Sequence, residues 1–133
     1  MRTQLNQIIA MARSIGYVYL TTADGSGTPH MSIVQPVDID EKNRLKLMAW
    51  LCQYTIKNLE ENPKVSVIIW DSIKDTGYQL SGKVEEMEEF AELDGYAMSL
   101  ERKKHFPQIE WKILVSVERI LNFQKAPHVD VEV

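Results

Sequence analysis

Apolar residues return along this chain in two rhythms. Leu5, Ile8, Ile9, Ala12 and Ile15 recur every three or four positions and form one stripe on a helix. Thr3 is placed to cap its start and Gly16 to stop it. A two-residue rhythm follows. Tyr17–Thr22 and His30–Val37 are rich in β-branched and aromatic side chains, and Asp24-Gly25 between them marks a turn. Pro29, which has no amide N–H, suits the start of the second strand better than its middle.

A polar turn over Val37–Asn43 leads into Arg44–Leu51, where Leu45, Leu47 and Ala49 alternate with Arg44, Lys46 and Met48, the period of a half-buried strand. Tyr54–Asn62 reads as a short helix with Ile56 and Leu59 on one side, ended by Asn62-Pro63. Lys64–Trp70 is almost unbroken in its apolar character and is expected to be buried on both faces. Beyond a polar loop at Asp71–Gly77, Tyr78–Glu85 reads as a fifth strand in which Gly82 marks a bulge or a close approach.

Glu86–His105 is predicted to be a second, longer helix with Phe90, Leu93, Ala97 and Leu100 as its inner face. The acidic run Glu85–Glu92 then supplies its solvated face and first turn. Trp111–Phe123 is the last strand and Ala126–Val133 a tail, whose "HVDVEV" end is a candidate edge strand on a partner subunit or a frayed terminus. Six strands joined mostly by short turns favour an antiparallel sheet that curls into a small barrel, with helices over its open ends. The predicted class is mainly β with α.

Length and composition narrow this picture. The 133 residues, 44% of them hydrophobic, read as one globular domain over 1–133 with a real core. The longest apolar runs, Val65–Trp70 and Leu47–Cys52, are too short to cross a bilayer, and Met1–Arg13 lacks the pattern of a signal peptide, so a cytoplasmic protein is expected. A net charge of −4 argues against a nucleic-acid surface. The single cysteine, Cys52, excludes an internal disulfide; it precedes a helix start, which favours thiolate, but no neighbouring base accompanies it. His30, His105 and His128 have no i,i+4 partners, so no metal site is expected.

Four segments, in order, carry a resemblance. They are the hairpin "YLTTADGSGTPHMSIV", the block "LKLMAWLCQYTIKNLEENPKVSVIIWD", the strand "GYQLSGKVEEM" and the final "ILVSVERIL". Together they resemble the FMN-binding split β-barrels related to pyridoxamine 5′-phosphate oxidase, over about residues 5 to 123, with Asn58-Leu59…Asn62-Pro63 the most specific part. The resemblance implies a six-stranded antiparallel split β-barrel with flanking helices, a homodimer, and FMN in clefts between the subunits. It places the flavin against Met31, Ser32, Ile33 and Val34 and against Met48, Ala49, Trp50 and Leu51. The phosphate falls at Gln53, Tyr54 and Thr55, with Lys57 nearby.

The residue types suit that use. Strand amides serve the polar edge of a flat ring while side chains cover its face. A helix start offers N–H groups and positive potential to a phosphate. The chain also departs from the family's pattern, in which Lys or Arg commonly stands where this sequence has Tyr54 and Thr55. That departure keeps haem, with His30 or His105 as axial ligand, or a deazaflavin, open beside FMN. A cofactor-free binding or regulatory module is a further alternative.

Several residues carry two readings. His30 either touches the cofactor or caps a loop, and Ser32 either donates to the cofactor or is an ordinary strand serine. Trp50 covers the ring or packs in the core or at a dimer interface, and Trp70 and Trp111 read as packing residues whose indole N–H groups need partners. Lys57 neutralises phosphate or pairs with Glu61. No general acid or base stands out, so the flavin itself would carry the redox chemistry of an oxidoreductase or electron carrier, with small-molecule substrate unknown. After Trp111 the only cations are Lys112, Arg119 and Lys125, which argues against the true oxidase.

Overall fold

Strands that alternate an inward apolar residue with an outward one can close on themselves, and these do. The structure, a computed structural model, describes residues 2–50, 53–93, 108–127 and 130–133. Helix α1 (Arg2–Ile15) precedes β1 (Val18–Ala23), β2 (Pro29–Ile39) and β3 (Leu45–Trp50); α2 (Gln53–Glu61) leads to β4 (Lys64–Asp71), β5 (Thr76–Leu93) and β6 (Gln108–Asn122). The six strands form a closed antiparallel barrel in the order β1-β2-β3-β6-β5-β4. Closure comes from β1, which pairs with β2 on one side and with β4 on the other through Tyr19↔Ile68, Leu20↔Val67 and Thr21↔Ser66.

The core is the barrel's interior. Leu20, Leu45, Leu47, Val67, Ile69, Leu80, Ile113 and Val115 are all buried there, each worth roughly 1.5–3 kcal/mol of transfer free energy. Helix α1 lays Leu5, Ile8, Ile9 and Ala12 against β2 and β4, and Gly16, at φ 102°, ends it by donating its N–H to the Ala12 carbonyl at 2.8 Å. Helix α2 packs on β1 and β2 and buries Thr55, Asn58 and Leu59. No helix of the described residues is long and apolar enough to cross a membrane.

The turns are built by aspartates. Asp24 Oδ1 accepts from the amides of Thr28 and Ser26 and from the Ser26 hydroxyl, at 2.8–2.9 Å, which holds its carboxyl below the usual range. In the β2–β3 turn, burial alone would raise Asp40. The N–H of Arg44, the Arg44 guanidinium at 2.8 Å and the N–H of Lys42 outweigh it and bring the carboxyl down. Arg44 reaches on to Glu86 at 2.6 Å, tying that turn to β5. Strand β2 runs two residues further than expected, through a bulge between Pro36 and Asp38, so the turn is shorter than Val37–Asn43.

Two expectations need correction. Lys64–Trp70 is not buried on both faces: Val65, Val67 and Ile69 point inward, while Ser66, Ile68 and Trp70 are half-buried on the outer wall. A barrel wall is one layer thick, so only one face of a strand meets the core. The helix expected over Glu86–His105 is overturned for its first part, because Glu86–Leu93 continues β5; Asp94–His105, with Ala97 and Leu100, lies outside the described residues.

Pairing with β6 overrides the helix preference of the acidic run, through Glu86↔Leu114, Glu88↔Lys112 and Glu89↔Trp111. A Lys112–Glu88 ion pair at 2.5 Å supports it. Gly82 marks both a bulge and a close approach. The register shifts there, and a Cβ would collide with the Ser116 carbonyl oxygen.

The tail turns back on its own chain. Glu132 bridges Leu121, the Asn122 N–H donates to the Val131 carbonyl at 2.8 Å, and the Val133 N–H donates to that of Ile120 at 2.9 Å. Within this chain, that pairing uses the strand character expected of "HVDVEV"; His128 and Val129 lie outside the described residues.

Candidate functional site

Alternation on β1, β2 and β3 decides which candidate side chains face outward. Met31 and Ile33 stand on the outer wall, 55% and 66% exposed, while Val34 is buried in the core between them and Pro36. Met48 and Trp50 are likewise outward on β3, Trp50 40% exposed, with Ala49 buried. Ile33, Met48 and Trp50, with Tyr17, line a shallow cleft of about 250 Å³. Val34 and Gln35 complete that part of it. Leu51 and Cys52 lie outside the described residues.

Helix α2 begins just beyond β3. Gln53 and Tyr54 are exposed, Tyr54 at 71%, and its ring lies 5.7 Å from that of His30 at the start of β2. Thr55 turns the other way. It is fully buried and its hydroxyl donates to Ser32 Oγ at 3.2 Å, so the two residues join the helix to β2 from inside. The first turn of α2 carries no acidic side chain to offset the positive end of its dipole. The Lys57–Glu61 pair foreseen as one option is not formed: Glu61 accepts instead from the Gly25 N–H at 2.9 Å, clipping the β1–β2 turn to α2. Lys57 is exposed and makes no ion pair among the described residues.

The structure therefore brings Met31, Ile33, Met48, Trp50, Gln53, Tyr54 and Lys57 to the surface and sets Ser32, Val34, Ala49 and Thr55 behind them. Tyr17 and Tyr19 were not among the sequence candidates. Tyr19 is the cross-strand partner of Ile33, and the two tyrosine rings meet edge to face at 5.5 Å. A hydrogen bond with the Tyr17 hydroxyl raises the Tyr19 phenol above its ordinary value. Their alternation with inward Val18 and Leu20 was the available signal. Trp70 and Trp111 differ: the Trp70 indole donates to Asp75 at 3.0 Å, whereas Trp111 Nε1 is buried without a partner among the described residues.

A closed six-stranded antiparallel barrel, with a short helix starting beside one outward wall, is a split-barrel arrangement. A family model described as pyridoxamine 5′-phosphate oxidase matches residues 4–121, and the chain belongs to that family. No curated protein matches it in sequence.

Solved structures share the fold at low identity. A pyridoxamine 5′-phosphate oxidase-related, FMN-binding protein from Nostoc punctiforme aligns with a TM-score of 0.64 at 10% identity, over 92% of this chain and 84% of that one. HutZ, the haem storage protein from Vibrio cholerae, aligns at 0.57 and 13%, over 86% and 91%. A structure titled F420 reductase aligns at 0.56 and 18%, over 79% and 88%.

Proposed function

We propose that this chain is an FMN-binding redox protein, an oxidoreductase or electron carrier distinct from the true oxidase, that works as a homodimer with the cofactor between subunits. The observation that carries this reading is the meeting of an apolar outer wall with a helix start free of acidic residues. The residues fit the cofactor's two ends. Ile33, Met48 and Trp50 offer apolar faces to a flat ring, and the N–H groups of Gln53 and Tyr54, with the exposed Lys57, suit a phosphate. Thr55 acts from behind, holding α2 on β2 through Ser32.

When bound, the flavin supplies electron transfer in one- or two-electron steps. The chain's own part is to orient it and keep water from the ring face. Exposed Met31, Ile33 and Trp50 on one wall also support a second copy seated there.

FMN fluorescence titration tests the reading. Quenching that saturates near one FMN per chain, with Lys57→Gln binding roughly tenfold more weakly through loss of one charge-assisted contact, is the expected result. Absence of quenching refutes it. Haem is a second reading, favoured by His30 beside Tyr54 at the same helix start and by the likeness to HutZ. A Soret band on adding haem, lost in His30→Ala, distinguishes it. The likeness to the F420 reductase makes a deazaflavin the third ligand for the same titration.

A further inference from the structure

Three amides of the β1–β2 turn are used inside it. The Ser26 and Thr28 N–H groups donate to Asp24 Oδ1, both at 2.9 Å, and the Gly27 N–H donates to the Asp24 carbonyl at 3.1 Å. The Gly25 N–H leaves the turn. It donates to Glu61 Oε2 at 2.9 Å, at the far end of α2. A Cβ on Gly25 would come within 3.2 Å of that oxygen, so the turn and the carboxylate are in close contact.

That bond is the last of three along one face of the helix. At three-residue intervals, Thr55 reaches Ser32 on β2, Asn58 reaches Thr22 on β1 and Glu61 reaches the turn between the strands. Leu59 is the one apolar side chain that α2 buries. Apolar contact is non-directional, whereas a hydrogen bond weakens steeply with angle, so the three bonds fix how the helix lies on the hairpin. Glu61 gains nothing from the helix itself. It stands in the last turn beside Glu60, with no basic residue there, where the dipole disfavours a carboxylate.

We propose that Glu61 is a positioning residue for the phosphate end of the flavin nucleotide. Its bond to Gly25 anchors α2 to the hairpin that carries β2, and so sets where the Gln53 and Tyr54 N–H groups stand beside Ile33. Eight residues, about 12 Å of helix, separate the anchor from those amides. Glu61 therefore acts through the helix and not by contact, as its own negative charge requires. The inference rests on the flavin reading and adds to it a residue at the opposite end of α2 from the phosphate.

FMN and riboflavin, which differ by the phosphate alone, are titrated into the full chain and three variants, followed by flavin fluorescence. Glu61→Ala removes the acceptor, whereas Glu61→Gln removes the charge and keeps an acceptor. Gly25→Pro removes the donor at the second position of its turn, where proline is accepted. The ratio of FMN to riboflavin affinity should fall about fivefold in Glu61→Ala and Gly25→Pro, the scale of one net hydrogen bond. It should keep its wild-type value in Glu61→Gln. Both positions are exposed, and all three variants should show the wild-type circular dichroism. An unchanged ratio in Glu61→Ala or Gly25→Pro, with or without an equal loss for both flavins, overturns the proposal. The same change in Glu61→Ala and Glu61→Gln assigns the effect to charge and overturns it too. Equal binding of FMN and riboflavin by the wild type overturns the proposal and leaves the flavin reading standing. Binding of neither refutes that reading, and the proposal with it.

Discussion

Asn58 Nδ2 donates to Thr22 Oγ1 at 3.1 Å, a side-chain hydrogen bond buried between α2 and β1. Asn58 belongs to the most specific block of the sequence resemblance, and the structure gives that block physical content. The Asn58 carbonyl also accepts from the Asn62 N–H at 2.7 Å, and Asn62 Oδ1 accepts from the Lys64 N–H at 3.1 Å, so one short run seats the helix, ends it and starts β4.

Replacing Asn58 by Leu leaves the Thr22 hydroxyl buried without its partner, a loss of about 1–3 kcal/mol. Thr22→Val alone should destabilise similarly, and the double variant by less than the sum. Urea unfolding of the four proteins measures this; strict additivity would show that the contact contributes nothing.

Asp75 predicts an acid-sensitive wall. The N–H groups of Lys125, then Ala126, then the Trp70 indole lower its carboxyl below the ordinary value. A carboxyl lowered in the folded state contributes stability that is in place above the unfolded pKa and is lost as pH falls through the folded one. Thermal midpoints measured from pH 7 downward should therefore drop below about pH 4. Asp24 and Asp40, also lowered, contribute to the same decline. Asp75→Asn should make it shallower, and its tryptophan emission should no longer change with acid in the manner of the wild type.

Gly77→Ala places a Cβ against the Ile69 carbonyl oxygen and the Trp70 Cα, which are backbone and cannot swing away. The β4–β5 ladder must open, and a loss of about 1–3 kcal/mol follows, typical of overpacking. Differential scanning calorimetry should show a lower midpoint for Gly77→Ala, whereas Ser72→Ala, in the exposed turn nearby, should leave it unchanged.

Arg44→Met removes the guanidinium from Asp40 and from Glu86 together. Asp40 is buried and Glu86 is exposed, so the damage should come almost entirely from Asp40. Arg44→Met should lower the unfolding midpoint at neutral pH well beyond the effect of Glu86→Gln. Equal effects would place the contribution in the surface pair instead.

Much of the barrel is legible in the chain itself. Leu5, Ile8, Ile9 and Ala12 carry a helical period and Leu45, Leu47 and Ala49 a strand period without help from distant partners. Glu86–Leu93 does not: its residues favour helix locally, and only pairing with Gln108–Leu114 makes it a strand.

The candidate site is legible as segments and less so as faces. Met31 to Val34 and Met48 to Trp50 reach the right wall, but neighbours on a strand point oppositely, so core-facing Val34 and Ala49 share a segment with outward Ile33 and Met48. Thr55 reads as a phosphate ligand until the helix is rotated into place against Ser32. Asp75 gives no local signal, because the amides it holds lie 50 and 51 residues further along.

Strand β3 accompanies β6 only as far as Val115, so Ile120–Asn122 keeps β5 on one edge and has no β3 partner on the other. Val131–Val133 occupies that other edge. A short run of three residues thereby seals a seam onto which a foreign β-segment could otherwise zip, and guards the molecule against sticking to others through its own backbone.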